Sequence, residues 1–239
     1  MAARTASERG GGEPVVTHAV RERPSPNHGP RRAPVDMLII HYTGMDSAAA
    51  ALDRLCDPAS AVSAHYMIDD DGTVWRLVPE ERRAWHAGRS FWAGETDINS
   101  RSIGIELVNP GHGPDYRPFP GAQMTALERL AQGILARHPI RSHLVLGHAD
   151  VATGRKRDPG ELFDWRRLAA AGIGLWPNIP TPAGTGTFET DMRKFGYADA
   201  SAEAIVAFQQ HFRPASITGV ADDETRALLR ALLIQVGLA

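Results

Sequence analysis

The chain has 239 residues, 43% of them hydrophobic and 23% charged, with a formal net charge of −2. That is enough apolar material for one large domain, or a medium domain plus a small one, and the balance of charge supplies no basic field for nucleic acid. The one cysteine, Cys56, excludes an internal disulfide framework and a cysteine-rich metal cluster, so a metal site would draw on histidine, of which there are ten, and carboxylate.

Residues 1–33 are rich in Gly, Pro, Arg and Ser, have no period, and read as a mostly irregular arm. They lack the apolar run of a signal peptide, and no stretch of about 18 apolar residues occurs anywhere in the chain. The expectation is a protein without a spanning helix that starts in the cytoplasm. "DMLIIHYTG" reads as a buried strand. "SAAAALDRLCD" reads as a helix capped by Asp46 or Ser47. "SAHYMIDDDGTVWRLV" reads as a hairpin turning at Asp71-Gly72. "RSIGIELV" is a further strand. In "GAQMTALERLAQGILARH", residues 124, 127, 130, 131, 134 and 135 are apolar at helical spacing. "SHLVLGH" is again a strand and "ELFDWRRLAAAGI" a second helix. This alternation predicts an α/β fold, a mixed central sheet flanked by helices, over residues 34–177. Pro and Gly then mark a linker at 178–187. Residues 188–239 carry three helical stripes: Phe188, Met192 and Phe195; Ile205, Phe208 and Phe212; and Leu228, Leu229, Leu232 and Leu233. They predict a small three-helix bundle that barely buries enough surface to stand alone.

The chemistry-bearing residues cluster at strand ends. His41 closes "LIIH", His148 closes "LVLGH", and Asp158 follows ten residues later in "GHADVATGRKRDPG". Two imidazoles and a carboxylate would leave a bound zinc ion with an open fourth position. Glu106 in "IGIELV" could take a proton from water, and Lys156, two residues before Asp158, could face a developing oxyanion. Spacing alone does not select these residues, because a strand-end histidine is more often structural.

The order of "IIHYTGM", "SAHYMIDDDGTVWRLVPEERRAWHAG", "NSRSIGIELVNPG" and "GHADVATGRKRDPG" resembles the zinc-dependent N-acetylmuramoyl-L-alanine amidases of the type-2 family, over roughly residues 25–177. "FGYADASAEAIVAFQQHF" followed by "ITGVADDETRALL" is similar, more weakly, to a small peptidoglycan-binding domain. The resemblance implies one zinc ion on His41, His148 and Asp158, and catalytic positions at Glu106 and Lys156. It also implies peptidoglycan or muropeptide fragments as partners, and hydrolysis of the amide between N-acetylmuramic acid (or its 1,6-anhydro form) and L-alanine. A receptor that binds without cutting is the alternative. Among the remaining polar residues, His65 reads as structural or cleft-lining. Trp85 and His86 suit either substrate contact or loop packing. Asn99 precedes the Glu106 strand, and Arg101 suits either a stem-peptide carboxylate or the surface. Asp150 is expected to orient its loop by a hydrogen bond. His18, His28, His112, His138, His143 and His211 read as structural or surface residues. The missing signal favours the cytoplasm, whereas a wall-binding module favours the envelope.

Overall fold

Met37, Leu38, Ile39 and Ile40 are all fully buried, so the strand they form is apolar on both faces, as a central strand must be. The computed structural model describes residues 20–177 and 186–239. The expected linker therefore lies largely outside the described residues, as do residues 1–19 of the arm with His18. In chain order the strands are β1 (Arg21–Glu22), β2 (His28–Pro30), β3 (Met37–Tyr42), β4 (Tyr66–Ile68), β5 (Val74–Arg76), β6 (Arg82–Ala84), β7 (Ser102–Leu107) and β8 (Val145–Gly147). The helices are α1 (Ala48–Cys56), α2 (Ile98–Arg101), α3 (Gly121–Arg137), α4 (His148–Val151), α5 (Trp165–Ala170), α6 (Phe188–Phe195), α7 (Ala202–Phe212) and α8 (Asp223–Gln235).

Six strands form one mixed sheet in the order β1-β5-β4-β7-β3-β8, and β2 pairs with β6 in a small ribbon. β4, β7, β3 and β8 run parallel, and the hairpin partner β5 runs antiparallel to β4. Alternation along each strand sorts the residues between two faces. Leu38 and Ile40 of β3, with Ile103, Ile105 and Leu107 of β7, pack with Met124, Leu127, Ala131 and Ile134 of α3 and with Trp165 and Leu168 of α5. Met37 and Ile39 of β3 face the other way. With Trp92, Leu146 and Val151 they share a core with Phe188, Met192, Phe195, Phe208, Phe212, Leu229 and Leu232 of the last three helices. His41, Ser102, Gly104 and Glu106 continue this second face by the same period.

The structure departs from the sequence reading in three places. The described part of the arm is not irregular: β1 adds to the sheet edge beside β5, and β2 pairs with β6. Buried Asn27 donates to the carbonyls of Asp57 and Val62, and the Arg31 guanidinium donates to those of Glu80, Ser100 and Ser102. Helix α5 begins only at Trp165, because Asp164 caps it by accepting the Arg167 N–H at 2.9 Å. The three C-terminal helices do not rely on their own interior alone, since their apolar stripes close over the sheet. No helix among the described residues is long and apolar enough to cross a membrane.

Glu80 ties the end of α3 to the β4–β5 side of the sheet. Its carboxylate accepts from Tyr66 Oη at 2.7 Å, Arg137 Nη2 at 2.6 Å and His138 Nε2 at 2.7 Å. Burial opposes its charge, but the Arg137, His138 and Tyr66 bonds outweigh that and hold the carboxyl down to about 2. A depressed carboxylate contributes stability that is complete above its unfolded value of 4.5 and is lost as pH falls through the folded value. Glu80→Gln should therefore cost about 1–3 kcal/mol near neutral pH. The difference from wild type, followed by thermal melts, should shrink as pH falls from 4.5 toward about 2.

Candidate metal centre and cleft

Three parallel strands deliver the site at their carboxyl ends, where open α/β sheets place ligands. The pairing register sets His41 of β3 directly beside Glu106 of β7. β8 lies on the other side of β3 and ends at Gly147, so His148 begins α4 immediately above it. The loop returns so that the Ala149 N–H donates to the Asp158 carbonyl at 2.9 Å, which brings Asp158 back under the histidines. Gly147 allows this close return: a Cβ there would lie 2.8 Å from Pro159 Cδ. Gly160 turns the chain out again at φ +80°, against Tyr116.

His41 Nδ1, His148 Nδ1 and Asp158 Oδ2 form a triangle with every side 3.0 Å. All three residues are buried. The hydrogen bonds behind the rings fix which nitrogen carries the proton. His148 Nε2 lies 3.1 Å from the Ala87 carbonyl and, farther off at 3.4 Å, the Arg155 guanidinium; donating to the nearer carbonyl leaves Nδ1 as a lone pair. His41 Nε2 lies 3.0 Å from His86 Nδ1, His86 Nε2 lies 3.2 Å from Ser102 Oγ, and Ser102 Oγ donates to the Ile98 carbonyl at 2.6 Å. The chain of donation runs toward that carbonyl, from His41 Nε2 to His86, from His86 to Ser102 and from Ser102 to Ile98, and His41 Nδ1 is also left as a lone pair. Two lone pairs and a carboxylate oxygen therefore converge on one point, an arrangement that calls for a cation. A tetrahedral shell with metal–ligand distances of about 2.0–2.2 Å has edges of roughly 3.3–3.6 Å, so the three atoms lie within a few tenths of an ångström of forming one of its faces. His41, His148 and Asp158 can thus hold a metal ion.

The electrostatics follow from burial. Burial and the neighbouring His148 push the His41 ring down to about 4, so it is neutral at physiological pH. Burial also opposes the Asp158 charge, which a cation held where the two lone pairs converge would offset. Glu106 is half-buried, its Oε2 is shielded with no hydrogen-bond partner among the described residues, and burial followed by repulsion from Asp158 pushes its carboxyl well above the usual range. Lys156 is exposed, and its charge opposes that rise. Both line a cavity of about 250 Å³, together with His148, Asp158, Tyr42, Thr43, Met45, Arg54, Leu55, Val62, Ser63, Trp85 and His86.

The other candidate contacts divide. Trp85 and His86 lie on the cavity wall, and His86 is also the partner of His41. His65 lies inside the sheet instead, where its Nδ1 accepts the Gly104 N–H at 3.0 Å and its Nε2 donates to the Arg82 carbonyl at 3.0 Å. Asn99 holds the turn that carries His86, accepting the N–H groups of His86 and Ala87 at 3.0 and 2.8 Å. The Arg101 guanidinium is paired with Asp36, so it is not free for a substrate carboxylate. Asp150 accepts the Gly147 N–H at 2.8 Å and thereby braces the loop. The sequence reading passed over the α1 side of the cavity (Met45, Arg54, Leu55), because nothing in a helix pattern says which site it overhangs. His112, read from the sequence as a structural or surface residue, bridges Tyr42 Oη and Glu161 at 2.9 Å each.

Residues 31–161 match a family described as N-acetylmuramoyl-L-alanine amidase. The chain is similar to the N-acetylmuramoyl-L-alanine amidase AmiD of Escherichia coli, with 39% identity over 85% of this chain and 84% of that protein. A solved complex of AmiD with anhydro-N-acetylmuramic acid-L-Ala-D-gamma-Glu-L-Lys superposes with a TM-score of 0.77 at 38% identity, over 87% of this chain and 93% of that one. AmpDH3 of Pseudomonas aeruginosa in complex with anhydromuramic pentapeptide gives 0.78 at 36%, over 90% and 96%. The 1,6-anhydro-N-acetylmuramyl-L-alanine amidase AmpD of Enterobacter cloacae is 35% identical over 63% of this chain and 88% of that protein.

A Cβ on Gly104 would sit 2.5 Å from the His86 ring. Gly104→Ala should therefore push His86 off His41, at an overpacking cost of about 1–3 kcal/mol. The expected result is a lower melting temperature together with weaker retention of a divalent ion, read by metal analysis after dialysis.

Proposed function

This chain belongs to the N-acetylmuramoyl-L-alanine amidase family, and from that premise we propose how its own residues carry out the hydrolysis. The enzyme cleaves the amide between the lactyl carbonyl of N-acetylmuramic acid and L-alanine of the stem peptide, and so serves peptidoglycan turnover or recycling. The anhydro sugar is included as a substrate, because the similar AmiD and AmpDH3 are solved with anhydromuramyl peptides. Zinc is the ion proposed for His41, His148 and Asp158. The two-imidazole, one-carboxylate set suits it, and bound there it supplies Lewis acidity that polarises a carbonyl and acidifies water.

The observation that carries the reading is the placement of an unpartnered carboxylate one register position from a metal ligand. Glu106 has no donor to hold its charge and lies beside His41, so it is poised to exchange protons. It accepts the proton of the attacking water and then delivers it to the alanine nitrogen as the C–N bond breaks. Lys156 has no ion-pair or hydrogen-bond partner among the described residues, and its ammonium faces the negative charge that develops on the carbonyl oxygen. Trp85 and the apolar side of α1 line the cleft for the sugar or the peptide. Residues 188–239 are assigned to wall contact on their motif resemblance.

The test is incubation with an anhydromuramyl peptide and with intact peptidoglycan, with and without a chelator, read by mass spectrometry. Release of free stem peptide that stops on chelation and resumes with zinc is expected; chelator-insensitive release would refute the metal reading. His148→Ala should lose zinc and activity together. Glu106→Ala should keep zinc and lose about 10²–10⁴ in kcat. Lys156→Ala should keep zinc and lose about 10²–10³. Near-normal turnover of Glu106→Ala would remove it as the proton carrier.

A further inference from the structure

The two metal ligands of the "GHADVATGRKRDPG" loop are each followed, within three residues, by an acidic side chain bonded to the C-terminal helices. Asp150, two residues after His148, is buried. Its Oδ2 accepts from His211 Nδ1 at 2.8 Å as well as from the Gly147 N–H, and its Oδ1 accepts from Tyr197 Oη at 2.5 Å. Glu161, three residues after Asp158, accepts from Gln210 Nε2 at 3.3 Å and bonds His112 on its inner side. Gln210 and His211 are consecutive on α7, so one helical turn reaches both ends of the loop.

The contact is built to a fixed geometry. The His211 ring stacks on Trp165 and on Phe212, with centroids 3.8 Å away in each case. Trp92 packs edge-on against Phe195 and Tyr197. The Ala93 N–H donates to the Gly196 carbonyl at 2.8 Å, while the Phe91 N–H donates to the Val151 carbonyl at the end of α4 at 2.7 Å. Gly196 has φ +138°, and a Cβ there would lie 2.3 Å from the Trp92 ring, so this contact admits only glycine. A wall tether needs a linker and a free binding surface; it has no use for a buried carboxylate whose donors come from both units. The Asp150 carboxylate has donors on both oxygens, and a buried carboxylate so supplied selects one arrangement, because any other leaves it unpaired.

We infer that Tyr197, Gln210 and His211 are positioning residues of the metal centre, holding the loop so that His148 and Asp158 keep the separation a metal ion requires. The inference rests on the metal reading above. The test uses the full chain carrying Tyr197→Phe and His211→Phe, which keep the rings and their packing but remove both side-chain donors to Asp150 and leave the Gly147 N–H in place. Zinc affinity is measured by competition with a chromophoric chelator, and the metal-free protein is melted in parallel. Loss of outer partners of a metal ligand predicts about 10- to 100-fold weaker zinc binding in a folded protein. Part of this should return with His211→Asn, which restores an N–H donor, and Gln210→Leu should weaken zinc independently. Zinc affinity unchanged from wild type would overturn the inference, whatever the melting temperature does. If the double variant fails to fold, Tyr197→Phe and Gln210→Leu alone decide by the same two outcomes. A wild-type chain that binds no zinc would remove the metal reading and this inference with it, so the two failures are distinguishable.

Discussion

Everything at the carboxyl end of the sheet is arranged around one electrostatic demand: two imidazole lone pairs and a carboxylate oxygen meet at one point on the wall of the cleft. Burying a carboxylate such as Asp158 is costly unless opposite charge or donors compensate. The rings cannot donate to it, because their other nitrogens are committed to Ala87 and, through His86 and Ser102, to Ile98. The same bonds that orient the histidines therefore withhold the protons that would relieve the carboxylate, and a cation is what satisfies the set. This accounts for several otherwise unconnected features: the small Gly104 beneath His86, the Asn99 side chain under the 86–87 turn, and the close return of the chain past Gly147.

Asp158 and Glu106 share the sheet face but not the environment. Asp158 turns one oxygen to the point where the two lone pairs converge, where a cation would hold it ionised; Glu106 has an oxygen with no partner among the described residues and a like charge nearby, and its carboxyl is pushed up. Environments that separate two carboxyls in this way assign them different work, one to hold charge and the other to exchange protons. The separation comes from register alone. Ile103, Ile105 and Leu107 alternate with Ser102, Gly104 and Glu106, so a one-residue slip of β7 would bury Glu106 under α3 and set an isoleucine beside His41.

What the sequence made legible follows from how local each signal is. The apolar run of β3, the Asp71-Gly72 hairpin and the α3 stripe are each written within one element, and the two strand-end histidines inherit their placement from those elements. Features that need a distant partner were not legible. Arg101 and Asp36 are 65 residues apart in sequence, and His211 and Asp150 are 61 apart. His65 carries the same ring as His41 but turns inward to the Gly104 N–H, a difference set by which edge of β7 it meets. The arm misled for a related reason: β1 and β2 are too short to show a period, and they exist only because β5 and β6 offer edges to pair with.

The covering of the second sheet face bears on how the two parts of the chain work together. Met37, Ile39, Leu146, Val151 and Trp92 would make a contiguous apolar patch without Phe195, Phe208 and Leu229 over them, and patches of that kind need a cover. The match to the amidase family ends at residue 161, so these helices lie beyond it. In this chain the cover has become part of the loop's support. A wall-contacting surface mounted on a shared core meets the polymer at one distance and angle from the metal, whereas a module on a free linker would gain only effective concentration. On the proposal that residues 188–239 contact the wall, the mounting would serve orientation: a glycan strand seated on the helices would present its stem peptides to the cleft in a fixed register, and a soluble fragment would lose nothing by ignoring them.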